Sequence, residues 1–234
     1  MNADPLATDL LVGRGFSPGE TPLGCRDVNR GGERGSALVL ALTATAVVLA
    51  LASALTLIAV SESAVSASFV RGSQAAYLAE AAVARATTEL DAVADWSAVL
   101  TGVASSALRD GAAEGVHQAD GVIVDLSAQT TALNRTAASG PFGANNPTWR
   151  LFLWGPAEWV VGAGVVGYLA VWVADDPDEQ DDDPLTDGGG ENEGGVLLLT
   201  AHAFGPGGVR RIVEVAGVRK PPLSTRMLVW RPVR

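Results

Sequence analysis

The strongest pattern in the chain is a block of apolar positions with no charge between Arg34 and Glu62, the 27 residues from Gly35 to Ser61. That is longer than the roughly 20 residues a helix needs to cross a bilayer. Beyond it, small and apolar positions recur by threes and fours at Ile58, Val65, Phe69, Gly72, Ala76, Ala79, Val83, Ala86, Leu90 and Val93, with Glu62 as the one interruption. This spacing keeps one seam along one side of a helix. The pattern predicts a single helix over residues 36–94, with 36–61 in the membrane, ~85 Å long at 1.5 Å per residue.

Downstream the periodicity changes. Asp95 is placed to cap a short helix from Trp96 to Leu108, which Asp110-Gly111 would close. From Gly111 to Asn146 the chain is small and polar, and Val122 to Leu126 reads as either a strand or a loop. Gly140 to Pro147 is a cluster of breakers. Then come five short runs rich in Val, Leu and Trp: 148–154, 165–174, 196–203, 209–218 and 227–233. Turn residues separate them, and Gly205-Pro206-Gly207-Gly208 marks a hairpin loop. The expected fold is α+β, a long N-terminal helix packed on a four- to five-stranded antiparallel sheet, with the alanine-rich face from Ala75 to Ala86 allowing close approach. The expected division is 1–35 leader, 36–94 long helix, 95–147 short helix and connection, and 148–234 β domain. Five of the six tryptophans (Trp149, Trp154, Trp159, Trp172, Trp230) fall in or beside the β region, where they read as sheet core or rim.

Two segments carry a family resemblance. Glu-Arg-Gly-Ser-Ala-Leu-Val-Leu-Ala-Leu (Glu33 to Leu42), followed by SQAAYLAEAAVARATTEL (Ser73 to Leu90), resembles the N-terminal region of PilX-type minor pilins of type IV pilus and type II secretion pseudopilus systems. The closing Leu-Val-Trp-Arg-Pro-Val-Arg is similar to endings in the same family, with Pro232 suiting an edge strand. The resemblance implies a pilin-like fold and a prepilin peptidase that cuts between Gly35 and Ser36 and methylates the new N-terminus. It also implies an inner-membrane location and partner pilins docking along the helix, whose seam includes Leu40, Phe69, Ala76, Ala79, Val83 and Leu90. The chain departs from the family at the fifth mature position, where most major pilins have glutamate and this sequence has Leu40. A carboxylate in lipid is costly without a partner, so a subunit with no preceding neighbour gains by lacking it. The departure favours a tip or initiating role over a bulk filament subunit.

Charge and cysteine refine this picture. Net charge is −10, and removal of residues 1–35 leaves 199 residues with 12 basic and 21 acidic side chains, a net charge of −9. Such a body has no electrostatic footprint for nucleic acid. Arg26, Arg30 and Arg34 precede the apolar block, and Glu62 is the first charge after it, which favours a cytoplasmic N-terminus and an exported C-terminal domain. The single cysteine, Cys25, lies in the leader, so the mature domain has neither a disulfide nor a catalytic thiol. A secretory signal cleaved at Ala52-Ser53-Ala54, with a start near Leu55, is the rival reading. It requires an N-terminal region over 30 residues long and strips the following helix of its anchor.

The chemistry that remains is acidic. Between Asp175 and Glu193 stand ten carboxylates and no base, in a loop (175–195) bounded by strands. Calcium takes six to eight oxygen ligands, and Asp175, Asp176, Asp183 and Asp187 are the expected ligands, although the spacing is not that of an EF-hand. Without a metal, the segment is a solvated, self-repelling loop. His117 and His202 stand in separate contexts with no metal-ligand spacing, and no glycine cluster is followed by the Lys-Ser/Thr of a phosphate loop. No motif supports an enzyme. Two classes therefore compete: a minor pilin or pseudopilin that assembles, initiates or caps a filament, and a single-pass membrane protein with an exported, calcium-dependent adhesion module that enters no filament.

Overall fold

Helix α1 (Glu33–Asp91) runs for 59 residues and is the longest element of the chain. The computed structural model describes residues 33–119, 121–179, 181–188, 195–220 and 224–233, with side chains described at 35–217 of these. The leader up to residue 32, including Cys25, and the loop carboxylates Glu191 and Glu193 lie outside the described residues. The chain divides into two compact units, residues 1–58 and 59–234, and α1 contributes to both.

In the first unit every described residue from Gly35 to Ile58 is exposed, large side chains such as Leu40, Leu49 and Leu57 included. The helix is long and apolar enough to cross a membrane. Its few polar residues satisfy themselves. The hydroxyls of Thr43, Thr45, Ser53 and Thr56 donate to backbone carbonyls three or four residues earlier, at 2.8 to 3.0 Å. A hydroxyl so bonded carries no unmade hydrogen bond into hydrocarbon.

The second unit is an α+β domain. Its five-stranded antiparallel sheet follows chain order: β3 (Arg150–Pro156), β4 (Tyr168–Asp175), β5 (Val196–Phe204), β6 (Arg210–Lys220) and β7 (Ser224–Val233). A separate hairpin pairs β1 (Val116–Ala119) with β2 (Val122–Asp125). At the β5–β6 turn Phe204 pairs with Arg210, Gly205 N donates to Val209 O at 2.7 Å, and Gly207 and Gly208 take the positive φ the turn demands.

The sheet is covered on both faces. On one, Ala75, Ala79, Ala82, Val83, Ala86 and Leu90 of α1 join a core with Leu153, Leu169, Val171, Val173, Leu197, Leu199, Ala201 and Ala203. Alanines spaced by threes and fours bring the helix close while burying little side-chain entropy. On the other face, Trp154, Tyr168, Ala170, Trp172 and Phe204 pack beneath Val122, Val124 and Leu126. Strand β4 is buried at every position because it has cover on both sides.

The connecting region departs from the expected pattern. Trp96 is buried, and its indole N–H donates to Leu90 O at 3.0 Å, ending α1 at Asp91 rather than near Asp95. Asp95 does accept from Ser97 N, but the following helix α2 (Ser97–Leu100) makes a single turn before Gly102 takes φ +81°. The expected helix to Leu108 is absent because β3 uses that backbone instead. Ser106 N donates to Phe152 O, Trp154 N to Leu108 O, and Asp110 N to Trp154 O. The polar stretch after it holds a helix that hydrophobic spacing did not reveal, α3 (Leu126–Ala137), capped by Asp125 accepting from Ala128 N at 2.8 Å.

Candidate functional site: an acidic pocket at the end of strand β4

Alternation along β4 sets the site. Leu169, Val171 and Val173 face the α1 core, and the next residue on that face is Asp175, paired across the sheet with Leu197. The carboxylate therefore enters the loop from the apolar side and is only 3% exposed. Its Oδ1 has no hydrogen-bond partner in the structure.

The loop folds two further carboxylates back over it. One oxygen each from Asp175, Glu179 and Asp181 lie within 4.8 Å of one another. Glu179 is held by Gly188 N (2.9 Å) and Val196 N (3.4 Å), so the return strand fixes it in place. Asn145 Nδ2 donates to Glu179 O, and Asp187 N donates to Ser97 Oγ at 3.1 Å, tying the loop to the turn before β3 and to α2. Gly188 approaches the cluster closely: a Cβ there would stand 2.6 Å from Glu179 Oε2 and 2.9 Å from Asp181 Oδ2, so both carboxylates would have to shift.

Burial pushes the Asp175 carboxyl up to about 8, and the charges of Glu179, Asp181 and Asp187 add to it against the backbone N–H of Asp176. Glu179 is also raised, first by burial, while its bonds to Val196 and Gly188 oppose the shift. No arginine, lysine or histidine in the described residues pairs with any of the three.

The four carboxylates expected from sequence therefore separate. Asp175 is in the pocket, and Asp187 lies near enough to raise its pKa. Asp176 instead accepts from Asp178 N at 3.1 Å, and Asp183 accepts from Leu185 N and the Thr186 hydroxyl, so both stabilise local turns. Glu179 and Asp181 were not read from the sequence. Strand alternation marks only Asp175 as the inward anchor, and the fold of the loop past Gly188 brings Glu179 and Asp181 to it.

The residues expected to serve the helix are also spread. Gly35 and Ser36 lie in the first turn of α1, and a Cβ on Gly35 would meet nothing within 4 Å. Leu40 and Phe69 are exposed, at 68% and 75%, whereas Ala79, Val83 and Leu90 are buried in the domain's own core and Ala76 is half-buried. The seam thus divides into an outward part and a part already occupied by the sheet.

Neither histidine lies in the acidic pocket. His202 is fully buried against Trp172, its Nδ1 3.3 Å from Arg210 Nη2, and burial with the Arg210 charge lowers its pKa to about 3. His117 Nδ1 lies 3.4 Å from Asp110 Oδ2, which also accepts from the Tyr168 hydroxyl at 3.1 Å. Elsewhere Arg109, Arg135 and Arg150 line an open groove of about 950 Å³ beside Trp149. Compared with known proteins, the chain matches no family model, no curated protein and no solved structure.

Proposed function

We propose that this chain is a minor pilin or pseudopilin-like subunit, anchored in the inner membrane by α1, that takes part in assembly, initiation or tip capping of a type IV pilus or type II secretion pseudopilus. The observation that carries the reading is α1 itself. One uninterrupted helix of 59 residues presents large apolar side chains outward over its first half and supplies alanines to an antiparallel sheet domain over its second. A bitopic anchor needs about 20 residues and no continuation. Continuation as the spine of a pilin-like domain is what a filament subunit requires, because the same helix leaves the bilayer and packs among neighbouring helices.

In this reading, the arginines before the apolar block hold the N-terminus in the cytoplasm, where prepilin peptidase cuts between Gly35 and Ser36. Leu40 and Phe69 contact partner pilins, and the mechanism is packing rather than catalysis. Leu40 in place of a glutamate suits a subunit with no neighbour ahead of it. The acidic pocket favours the second reading, an exported adhesion module on a simple anchor, and the N-terminus separates the two.

The test is the mass and N-terminal residue of the protein recovered from membranes. The expected species begins at a methylated Ser36, and a Gly35→Leu variant accumulates as uncut precursor. An intact N-terminus, a start near Leu55, or normal processing of Gly35→Leu would overturn the filament reading.

A further inference from the structure

We infer that Asp175, Glu179 and Asp181 form a binding site for a divalent cation, of calcium type, at the end of β4. The inference is independent of the filament reading, since it concerns the β domain whatever its assembly.

Three observations converge on it. The first is distance. Oxygens bound to calcium lie about 2.4 Å from the ion, so two on opposite sides are about 4.8 Å apart. The three carboxylate oxygens all fall within that span of one another, so one ion can touch them together. The second is burial. Asp175 is 97% removed from solvent, and its Oδ1 has no partner, although more than nine in ten buried polar groups find one. A cation in the pocket supplies the missing partner. The third is the composition of the pocket. All three side chains offer hard oxygen, with no sulfur or imidazole nitrogen among them, which selects calcium or magnesium over zinc.

Calcium is favoured over magnesium by how the donors are held. Asp175 comes from a rigid strand end, whereas Glu179 and Asp181 come from a loop. Such a mixed set accommodates calcium's irregular shell of six to eight ligands better than the strict octahedron of magnesium. Water and backbone carbonyls complete the shell, and Asn145, whose Oδ1 also lacks a partner, is already bonded through Nδ2 to Glu179 O.

The alternative is a carboxylate cluster that neutralises itself with protons and binds nothing. The two are separated by calcium titration of the full-length protein in detergent, stripped with chelator, followed by calorimetry and thermal unfolding. The expected result is one saturable site of sub-millimolar to millimolar Kd, a rise in Tm with calcium, and at least tenfold weaker response to magnesium. Asp175→Asn and Glu179→Gln should each weaken calcium binding at least tenfold. Asp175→Asn should not lower the Tm of the cation-free protein, because it replaces a buried carboxylate, whose Oδ1 has no partner, with a neutral amide of the same shape. Asp178→Asn, outside the cluster, should bind as the parent does. A parent protein with neither heat nor Tm shift at 10 mM calcium would overturn the site, as would full retention of binding in Asp175→Asn.

Discussion

The two faces of the sheet are buried by different means. The α1 face is closed mainly by alanines and branched aliphatics, together with Phe152 and with Trp96, whose indole N–H donates to Leu90 O. The α3 face is closed by aromatic rings whose polar tips are bonded: Trp172 Nε1 to Thr130 Oγ1 at 2.8 Å, Trp154 Nε1 to Asp110 O at 3.2 Å, and Tyr168 OH to Asp110 Oδ2. The first face depends chiefly on shape, because close helix approach favours small apolar side chains, with Asp175 at the strand end as a buried carboxylate on that face. The second depends on both shape and direction, so it tolerates a helix as polar as α3. This difference sets what each face should lose on substitution.

Leu90 is the sharpest probe of the α1 face. It is 1% exposed, and Leu90→Ala leaves a cavity in a rigid contact, at a cost of about 3 kcal/mol in unfolding free energy. The same change at Leu49, exposed in the apolar block, should leave the unfolding of the β domain unmoved. Denaturant unfolding of the two variants in detergent checks this. No loss in Leu90→Ala would show that the domain does not depend on the α1 face.

The α3 face should respond to acid. His202 has an unfolded value of 6.5 and a folded value of about 3, so protonation favours the unfolded chain. The stability from keeping it neutral is fully present above pH 6.5 and is lost as pH falls toward 3. Between pH 6.5 and 5 the loss is about 2 kcal/mol at ~1.4 kcal/mol per pH unit. Asp175 acts with the opposite sign in the same window when no cation is bound. Its folded value of about 8 lies above the unfolded 3.8, so its share is present below pH 3.8 and is lost as pH rises. The difference between parent and His202→Leu isolates the histidine: the parent should weaken more steeply from pH 6.5 to 5. Parallel curves for the two proteins would mean that His202 is protonated without penalty.

The contrast between the faces also explains how much of the molecule was legible. The α1 face was readable because its information is periodic: Ala75, Ala79, Ala82 and Ala86 recur at helical spacing, and β4 presents an unbroken apolar run from Tyr168 to Ala174. An α+β domain with a long apolar helix and an antiparallel sheet follows from those patterns. The α3 face was not readable because its information is in pairs of distant residues. Nothing in Leu-Ser-Ala-Gln-Thr-Thr marks a helix, yet Asn134 holds the backbone of Trp149 through two hydrogen bonds, 3.1 and 2.7 Å, fifteen residues on. Residues 106–108 were read as helix for the same reason, because the β3 edge that claims them is over forty residues away. At the acidic pocket, composition announced ten carboxylates, but only the loop's return past Gly188 selects Glu179 and Asp181 as companions of Asp175. Sequence reported the chemistry there and left the pairing to the fold.

The smallest expected effect tests direction rather than shape. Thr130→Val keeps the volume of the side chain but removes the acceptor of the Trp172 indole, which is fully buried. Leaving that N–H unpaired should cost about 1 kcal/mol. Trp172→Phe removes the donor instead and also opens a gap in the aromatic cluster. In the double variant the hydrogen-bond share is lost only once, so its cost should fall short of the two single costs added together. Strict additivity would show that the hydrogen bond contributes nothing and that the α3 face is held by packing at this point. A shortfall near 1 kcal/mol, measured by denaturant unfolding of the three variants, would confirm that directed bonds compensate there for the apolar surface α3 lacks.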